Sequence, residues 1–335
     1  MQPVCNHLGD CMKLRLSTAI VIAITAMPAT LPAFAQQDVP AKVEPAIPST
    51  PVADTEVGPE LRAQILLERA WFSPGEIDGQ WGSKSRLALS AFQQAHGLDV
   101  TGEVDDASLA ALDANSAPAV VDYTIFEADI AGPFVPTPAG TQAKSKMKSI
   151  PYQSAAEALG EKFHASPALL RALNPGVPLD VAGGLLKVPN VQDIAPLAFA
   201  AKVVVDKSDS ALRLLDADGN AYAQFPITSG SAEFPLPIGE WKINSINPDP
   251  WYSYDPKLIV GARKSDRKAL LPPGPNGPVG TVWIALSKPH YGIHGTPEPG
   301  MIGRNQSSGC VRLTNWSANA VSKAVSAGMT VSMQE

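Results

Sequence analysis

The sequence predicts a multidomain protein in which a small three-helix unit and a small α+β module precede a mainly β C-terminal domain. The length of 335 residues exceeds the usual size of one domain, about 100–200 residues. Helical patterns dominate before residue 174, and short strand-like runs dominate after residue 202. Proline, with 32 residues, reaches about twice the usual ~5% and indicates stiff connectors rather than long helices.

The first 35 residues have the pattern of a cleavable signal peptide. Lys13 and Arg15 form a basic segment, an apolar run covers residues 16–26, and Ala-Phe-Ala at 33–35 supplies the small residues that a signal peptidase reads. A membrane anchor is the alternative, but an apolar run of about 11 residues falls short of the ~20 that span a bilayer. We therefore expect export and cleavage before Gln36.

Two features of the remaining chain restrict its partners and its thiol chemistry. The net charge, −6 for the whole sequence and −7 without residues 1–35, argues against nucleic acid and against anionic membrane surfaces as partners. Cys5 and Cys11 lie in the predicted signal peptide, and Met12 is an alternative start that would remove them as well. Cys310 is then a lone thiol in an oxidising compartment, where it is either buried and inert or present for its chemistry. Composition leaves both possibilities open.

A proline-rich segment, residues 36–57, has no apolar periodicity and predicts an extended linker.

Residues 58–115 predict three short helices. We expect Ser83 to cap the second helix, Gly97 to end it, and Asp105 to cap the third. The unit resembles a small peptidoglycan-binding domain, through Ile77-Asp78-Gly79, Trp81-Gly82, Ala91-Phe92-Gln93, Gly97-Leu98 and Thr101-Gly102. A generic three-helix spacer is the alternative.

Residues 120–192 predict a strand near 122–125, two helices at 155–163 and 167–173, an Asn-Pro turn and a closing strand at 184–189. This order is similar to the lysin-motif (LysM) fold, which binds glycans containing N-acetylglucosamine. The match is partial because the first strand is poorly defined. A plain spacer domain is the alternative.

From residue 202 to 335 the chain predicts a series of short strands, with a hairpin turn at Asp218-Gly219-Asn220 and a C-terminal helix at 316–327. One segment departs from the series. Residues 247–278 are rich in proline and have few strand features. Structureless loops of this length inside a domain usually serve as lids or binding loops.

The residues that indicate chemistry fall in two clusters on either side of a ten-residue connection. The first contains Tyr291, His294, Gly295 and Thr296, and the second contains Ser307, Ser308, Gly309, Cys310 and Arg312. A thiol of pKa ~8.5 is only a few per cent ionised near neutral pH, so a catalytic cysteine needs a base or a cationic neighbour.

His294 is the stronger candidate for that base. Gly295 allows a tight turn after it, so a nearby carbonyl would orient the imidazole, whereas no glycine follows His290. The small residues before Cys310 leave successive backbone N–H groups able to form an oxyanion hole, in which one donor is typically worth ~3–4 kcal/mol. Arg312 would hold a substrate carboxylate or brace the loop. Taken singly, His294 also fits a hydrogen-bonded histidine of the core, and Arg312 also fits a partner in a surface ion pair.

Taken together, the His-Gly-Thr and Ser-x-Gly-Cys-Val-Arg-Leu motifs resemble the catalytic domain of the L,D-transpeptidase (YkuD-like) family. The resemblance covers residues 202–335 and extends to Gly230, Pro237-Ile238-Gly239, Pro278-Val279-Gly280 and Thr314-Asn315-Trp316. It implies that this mainly β domain has a sandwich-like fold. Ser308 is a departure, because many members have histidine there. The oxyanion donors are backbone groups, so we expect this change to tune the site without abolishing it.

The resemblance implies that Cys310 forms a thioester with peptidoglycan tetrapeptide stems by cleaving the bond between diaminopimelate and D-alanine, with His294 as base. An amine then accepts the acyl group, which gives a 3–3 cross-link or attaches an outer-membrane lipoprotein. It also implies that no cofactor or metal is needed and that the protein is periplasmic and bound to the wall, and we expect a monomer. The alternatives are a non-catalytic wall-binding protein and a hydrolytic carboxypeptidase or amidase of the same family.

Overall fold

A computed structural model of the chain describes residues 57–113, 117–259, 261–262 and 265–335, which belong to one compact unit. The predicted signal peptide lies outside the described residues, as does the predicted linker apart from Val57. No helix in the described part of the chain is long and apolar enough to cross a membrane.

The N-terminal unit consists of three helices, α1 (Pro59–Arg69), α2 (Ser83–Ala95) and α3 (Asp106–Leu112). The Asp105 carboxylate accepts a hydrogen bond from the Ser108 N–H at 2.7 Å, so the predicted cap of α3 is confirmed. The predicted cap at Ser83 is wrong. Gly82 occupies the cap position with an extended backbone and Ser83 is already the first helical residue, so α2 begins without a side-chain cap.

The middle module has a two-stranded antiparallel sheet, in which β1 (Val120–Thr124) pairs with β2 (Leu185–Pro189). Four helices lie between the strands in sequence: α4 (Glu127–Ile130), α5 (Thr141–Lys144), α6 (Ala155–Lys162) and α7 (Pro167–Leu173). The helices α6 and α7 were predicted and are confirmed, each with a serine cap. The sequence missed α4 and α5, because a four-residue helix is too short to establish a periodicity.

The C-terminal domain is mainly β, as predicted, and its helix α8 covers Asn315–Ala324. Its strands are β3 (Lys202–Asp206), β4 (Ala211–Leu215), β5 (Ala221–Pro226), β6 (Thr228–Ser229), β7 (Gly239–Pro248), β8 (Tyr252–Tyr254), β9 (Ala269–Leu271), β10 (Val282–Leu286), β11 (Gly292–His294), β12 (Val311–Arg312) and β13 (Thr330–Gln334). Nine of them form one sheet in the order β5-β4-β3-β13-β7-β10-β11-β12-β6. The long strand β7 pairs with β13 through its first half and with β10 through its second, so it joins the two parts of the sheet.

The proline-rich insert contains secondary structure that the sequence did not predict. Its strands β8 and β9 form a separate antiparallel hairpin. Each has only three residues, and flanking prolines break the alternation by which strands are recognised. The insert has few strands, as predicted, but the expectation of a structureless loop is wrong for the residues of this hairpin.

Backbone hydrogen bonds join the three parts of the described chain. The Ser73 N–H donates to the Gln224 carbonyl at 2.8 Å and the Gln224 N–H donates to the Trp71 carbonyl at 2.8 Å, which links the three-helix unit to β5. The Ile77 N–H donates to the His164 carbonyl at 2.9 Å, which links the same unit to the middle module. These contacts fix the unit to both of its neighbours.

Candidate functional site

The pairing of two short strands brings the two predicted clusters together. His294 is the last residue of β11, and Cys310 immediately precedes β12. These strands pair in parallel, with Ile293 opposite Val311 and His294 opposite Arg312. The connection between the clusters therefore loops out and returns, so that the imidazole and the thiol face one cleft.

The cleft has a volume of about 610 Å³. Of the predicted site residues, it is lined by Tyr291, His294, Ser308, Cys310 and Arg312. The other four do not line it. Gly295, Thr296, Ser307 and Gly309 lie behind it, where they support the residues that do.

His294 is held in one orientation and is shielded from water. Its Nδ1 lies 2.7 Å from the carbonyl oxygen of Gly295, so Nδ1 carries the proton in the neutral ring and Nε2 keeps its lone pair. The indole of Trp283 stacks on the imidazole with centroids 5.3 Å apart. Burial, together with the positive charge of Arg312, lowers the pKa of His294 to about 3. The ring is therefore neutral at ordinary pH and able to accept a proton.

The thiol of Cys310 is held by backbone groups. Its Sγ donates to the carbonyl of His290 at 3.6 Å and accepts from the N–H of Gly292. Burial raises the pKa of Cys310, and the Gly292 N–H and the charge of Arg312 act in the opposite direction. At rest the site therefore holds a neutral thiol and a neutral imidazole. Catalytic hydrogen bonds are often long without substrate and shorten in the reacting complex.

Two residues behind the cleft shape the loop before the thiol. The hydroxyl of Ser307 donates to the Cys310 carbonyl at 2.6 Å and accepts from the Gly230 N–H at 2.7 Å, which ties the loop to the end of β6. Gly309 has a φ of +96°, and a Cβ there would lie 2.6 Å from the ring of Tyr291. Both the backbone conformation and the space therefore require glycine.

Gly295 and Thr296 form the turn that follows the imidazole. A Cβ on Gly295 would overlap the side-chain amide of Asn315. That amide is fixed, because its oxygen accepts from the Thr281 N–H at 3.3 Å and its nitrogen donates to the Pro275 carbonyl at 3.3 Å. The Thr296 hydroxyl accepts from the Glu298 N–H at 3.3 Å. The side chain of Asn315, at the start of α8, therefore packs against Gly295, whose carbonyl orients His294.

Trp283, Asn315 and Tyr252 also contribute to the site, and none of them was predicted from the sequence. Tyr252 comes from the insert hairpin, where burial and the nearby Cys310 raise its pKa to about 12 while Arg312 opposes the rise. The run Trp251-Tyr252-Ser253-Tyr254 is unusually aromatic for a proline-rich loop and would have drawn attention to the hairpin.

Arg312 lies beside the thiol with part of its hydrogen-bonding capacity unused. One of its terminal nitrogens donates to the Gln306 carbonyl at 3.4 Å, and its Nε is buried without a partner in the described chain. Burial lowers the pKa of Arg312, and the proximity of Cys310 and Tyr252 raises it. A guanidinium in this position suits a carboxylate or a developing negative charge.

Comparison with known proteins identifies two parts of the chain. Residues 200–333 match the model of the YkuD family, described as an L,D-transpeptidase catalytic domain, and residues 61–112 match a model described as a "Putative peptidoglycan binding domain". A protein of Bacillus licheniformis, named "Putative L,D-transpeptidase YkuD", is 28% identical over 179 residues, which cover 53% of this chain and 92% of the relative. A protein of the same name from Bacillus subtilis is 28% identical over 154 residues, covering 46% and 77%.

Among solved structures, an L,D-transpeptidase from Xylanimonas cellulosilytica (residues 123–326) is similar to 83% of this chain and 94% of its own, with 19% identity and a TM-score of 0.37.

Proposed function

We propose that this chain, whose residues 200–333 belong to the L,D-transpeptidase (YkuD) family, transfers peptidoglycan stem peptides through a thioester on Cys310. One observation carries the residue assignment. Cys310, a neutral His294 and Arg312 line the same cleft, with His294 opposite Arg312 in two paired strands and Cys310 immediately before the second strand. L,D-Transpeptidase activity itself follows from the family, and the residue roles are our proposal.

The reaction begins with transfer of the thiol proton to Nε2 of His294, which the Gly295 carbonyl keeps aimed by holding Nδ1–H. The thiolate attacks the carbonyl of diaminopimelate in a tetrapeptide stem. Backbone N–H groups of the loop before Cys310, from Ser308 to Cys310, stabilise the oxyanion. The imidazolium gives its proton to the leaving D-alanine nitrogen, and the thioester remains.

An amine then resolves the thioester. Attack by a diaminopimelate side chain gives a 3–3 cross-link, attack by a lysine of an outer-membrane lipoprotein attaches that protein, and attack by water gives hydrolysis. Tyr252 and its hairpin border the cleft, and we propose that they exclude water and so favour amine acceptors. If shortening the hairpin left the ratio of cross-linking to hydrolysis unchanged, this role would be wrong.

The other modules would hold the enzyme on its insoluble substrate. The peptidoglycan-binding domain at residues 61–112 supplies one attachment. We propose a LysM-like role for the middle module, in which a cleft of about 590 Å³ binds glycan. Its lining includes Phe134, Arg171, Asn174 and Asp180, a mixture of aromatic, charged and amide groups that suits a sugar. Two attachments raise the local concentration of stems.

Periplasmic location, release of the signal peptide and a role in cell shape are part of the same proposal, as is a monomeric state. They rest on the pattern of residues 1–35 and on the wall as substrate. Fractionation of cells that express a tagged chain would test the location, and N-terminal sequencing would test cleavage before Gln36.

The experiment that tests the function uses the protein from Gln36 onward with tetrapeptide-rich muropeptides and resolves the products by mass spectrometry. We expect a thioester adduct on Cys310, release of D-alanine and 3–3 dimers, all absent from Cys310→Ala. Addition of water alone would instead identify a hydrolase. Failure of the wild-type chain to form any adduct would leave a non-catalytic wall-binding protein.

A further inference from the structure

The cleft that contains Cys310 has an unusual charge balance for an acidic chain. The whole sequence has a net charge of −6. Among the described residues that line this cleft, two carry a fixed positive charge, Arg312 and Lys144, and none is an aspartate or glutamate. A cleft with this lining selects ligands that carry negative charge.

Lys144 comes from outside the family domain. It is the last residue of α5 in the middle module, and the family model begins only at residue 200. The catalytic cleft therefore includes a cation that a comparison restricted to the catalytic domain does not contain. Cys310 and Lys144 share one cleft because α5 packs against β9 of the insert hairpin.

Specific contacts attach the α5 segment to the hairpin. The side chains of Thr141 and Tyr254 are hydrogen-bonded, and the Gln142 amide donates to the Arg267 carbonyl at 3.3 Å. Met147 packs against a small core formed by Ile150, Tyr254 and Leu271. The segment is therefore part of the wall of the cleft and is attached to the hairpin.

The base of the segment is anchored as well. The Ile150 N–H donates to the Pro273 carbonyl at 2.9 Å, and its carbonyl accepts from the Asn276 N–H at 3.1 Å. Gly274 permits this approach, since a Cβ there would overlap the Ile150 carbonyl. With both ends held, the backbone of Lys144 has a fixed position relative to the cleft.

The charge of Lys144 is not neutralised within the described chain. Lys268 on the same hairpin forms an ion pair with Asp255 at 2.6 Å, whereas no ion pair joins Lys144 to a described carboxylate. Lys144 is half-buried, while its neighbours Lys146 and Lys148 are exposed and do not line the cleft. An unpaired lysine in the same cleft as the thiol indicates a binding role.

We propose that Lys144 is a specificity-determining residue that binds a carboxylate of the stem peptide and sets its register over Cys310. This inference rests on the proposed function. With Arg312 beside the thiol, a second cation on the wall of the cleft would hold the stem at two points and favour the productive placement of the scissile bond. The carboxylate belongs either to the terminal D-alanine or to the diaminopimelate side chain.

Equilibrium binding separates this role from catalysis. In a Cys310→Ala background, we would titrate a free tetrapeptide stem and measure Kd by calorimetry. Lys144→Gln is expected to raise Kd about tenfold, because one charge-assisted hydrogen bond is lost. Lys144→Arg is expected to retain most of the affinity. Lys146→Gln is the matched control and is expected to bind as its parent does. Equal Kd values for Lys144→Gln and the parent would overturn the proposal.

Two modified stems identify the carboxylate. One of these stems lacks the carboxylate that Lys144 binds. The parent should bind that stem about as weakly as Lys144→Gln binds the free stem, and the Kd of that stem should be unchanged by Lys144→Gln. If Lys144→Gln weakened both amidated stems as much as the free stem, the effect would not arise from a carboxylate contact and the proposal would fail. Thioester formation by the chain with Cys310 intact is measured in parallel, so failure of the enzymatic function would be seen separately from failure at Lys144.

Discussion

The Nδ1 atom of His294 lies 2.7 Å from the carbonyl oxygen of Gly295, the residue next to it in the chain. In many hydrolytic sites an acidic side chain orients the base. Here a backbone carbonyl orients the imidazole that we propose as the base, and the carbonyl carries no net charge. The imidazole therefore gains little stabilisation of its charged form, and burial dominates its pKa.

Acylation should consequently be insensitive to pH across the range in which a free histidine titrates. Burial lowers the pKa of His294 from 6.5 to about 3, so the base is neutral at every pH from 5 to 8. Burial also raises the pKa of Cys310, so the thiol keeps its proton over the same range. We expect a flat profile of acylation rate between pH 5 and 8, measured by intact mass in single-turnover experiments. A fall in acylation rate with a midpoint near pH 6.5 on the acid side would show that the imidazole is not desolvated as described.

Trp283 shields that imidazole, so its removal should introduce the missing pH dependence. Trp283→Ala would admit water to the ring face and move the pKa of His294 upward, toward 6.5. Since protonated imidazole is not a base, acylation would then decline as pH falls from 7 to 5. Trp283→Phe keeps an aromatic face and should retain the flat profile. Identical profiles for the two variants would exclude the stacking contact as the cause.

The contact between Gly295 and Asn315 predicts a rescue. Gly295→Ala places a methyl group into the fixed amide of Asn315 and would displace the carbonyl that orients His294. We expect acylation about 100-fold slower, within the range that general-base catalysis contributes. Asn315→Ala removes the overlapping atoms, so the double variant should be faster than Gly295→Ala alone. If the increase in activation free energy of the double variant equalled the sum of the increases of the two single variants, this steric explanation would be contradicted.

The sequence was sufficient to propose the residues of the candidate site but not those that support them. Cys310, His294 and Arg312 lie in two compact motifs, and residue type with spacing identified them. Trp283 and Asn315 meet the site only through the pairing of β10 with β11 and the packing of α8, which no local pattern encodes.

The contacts between modules could not be predicted from the sequence for the same reason. The hydrogen bonds of Gln224 to residues 71 and 73 join positions far apart in sequence, and Lys144 reaches the cleft through contacts of this kind. Local periodicity identified α6 and α7, where an apolar face and a serine cap occur within one segment.

The clamp at Ser307 should be needed for both stability and rate. Its hydroxyl is buried and bonds to the Cys310 carbonyl and the Gly230 N–H. Ser307→Ala would leave both groups unsatisfied, at a cost of about 1–3 kcal/mol. We expect Tm to fall by several degrees in calorimetry and acylation to slow, because the loop that carries Cys310 is released. Ser326→Ala, at an exposed position, should leave Tm within about a degree. An unchanged Tm for Ser307→Ala would show that water replaces the lost bonds.

Glu161 gives the structure a pH-dependent weakness at the boundary between the middle module and α8. Its Oε1 is buried without a partner in the described chain, the Asn315 amide bonds to its carboxyl group, and burial raises its pKa to about 8. Between its ordinary value of 4.5 and about 8, the unfolded chain loses this proton and the folded chain keeps it. The folded state then binds more protons than the unfolded state, so stability falls as pH rises through this range.

Glu161→Gln removes the ionisation and keeps the shape of the side chain. We therefore expect Tm to rise by about 2–4 °C at pH 8 and to change little at pH 4, where the wild-type group is protonated in both states. Glu127→Gln, at an exposed position in the same module, is the control and should show no such pH dependence. A gain that is equal at both pH values would mean that lost repulsion or packing, and not the retained proton, accounts for the effect.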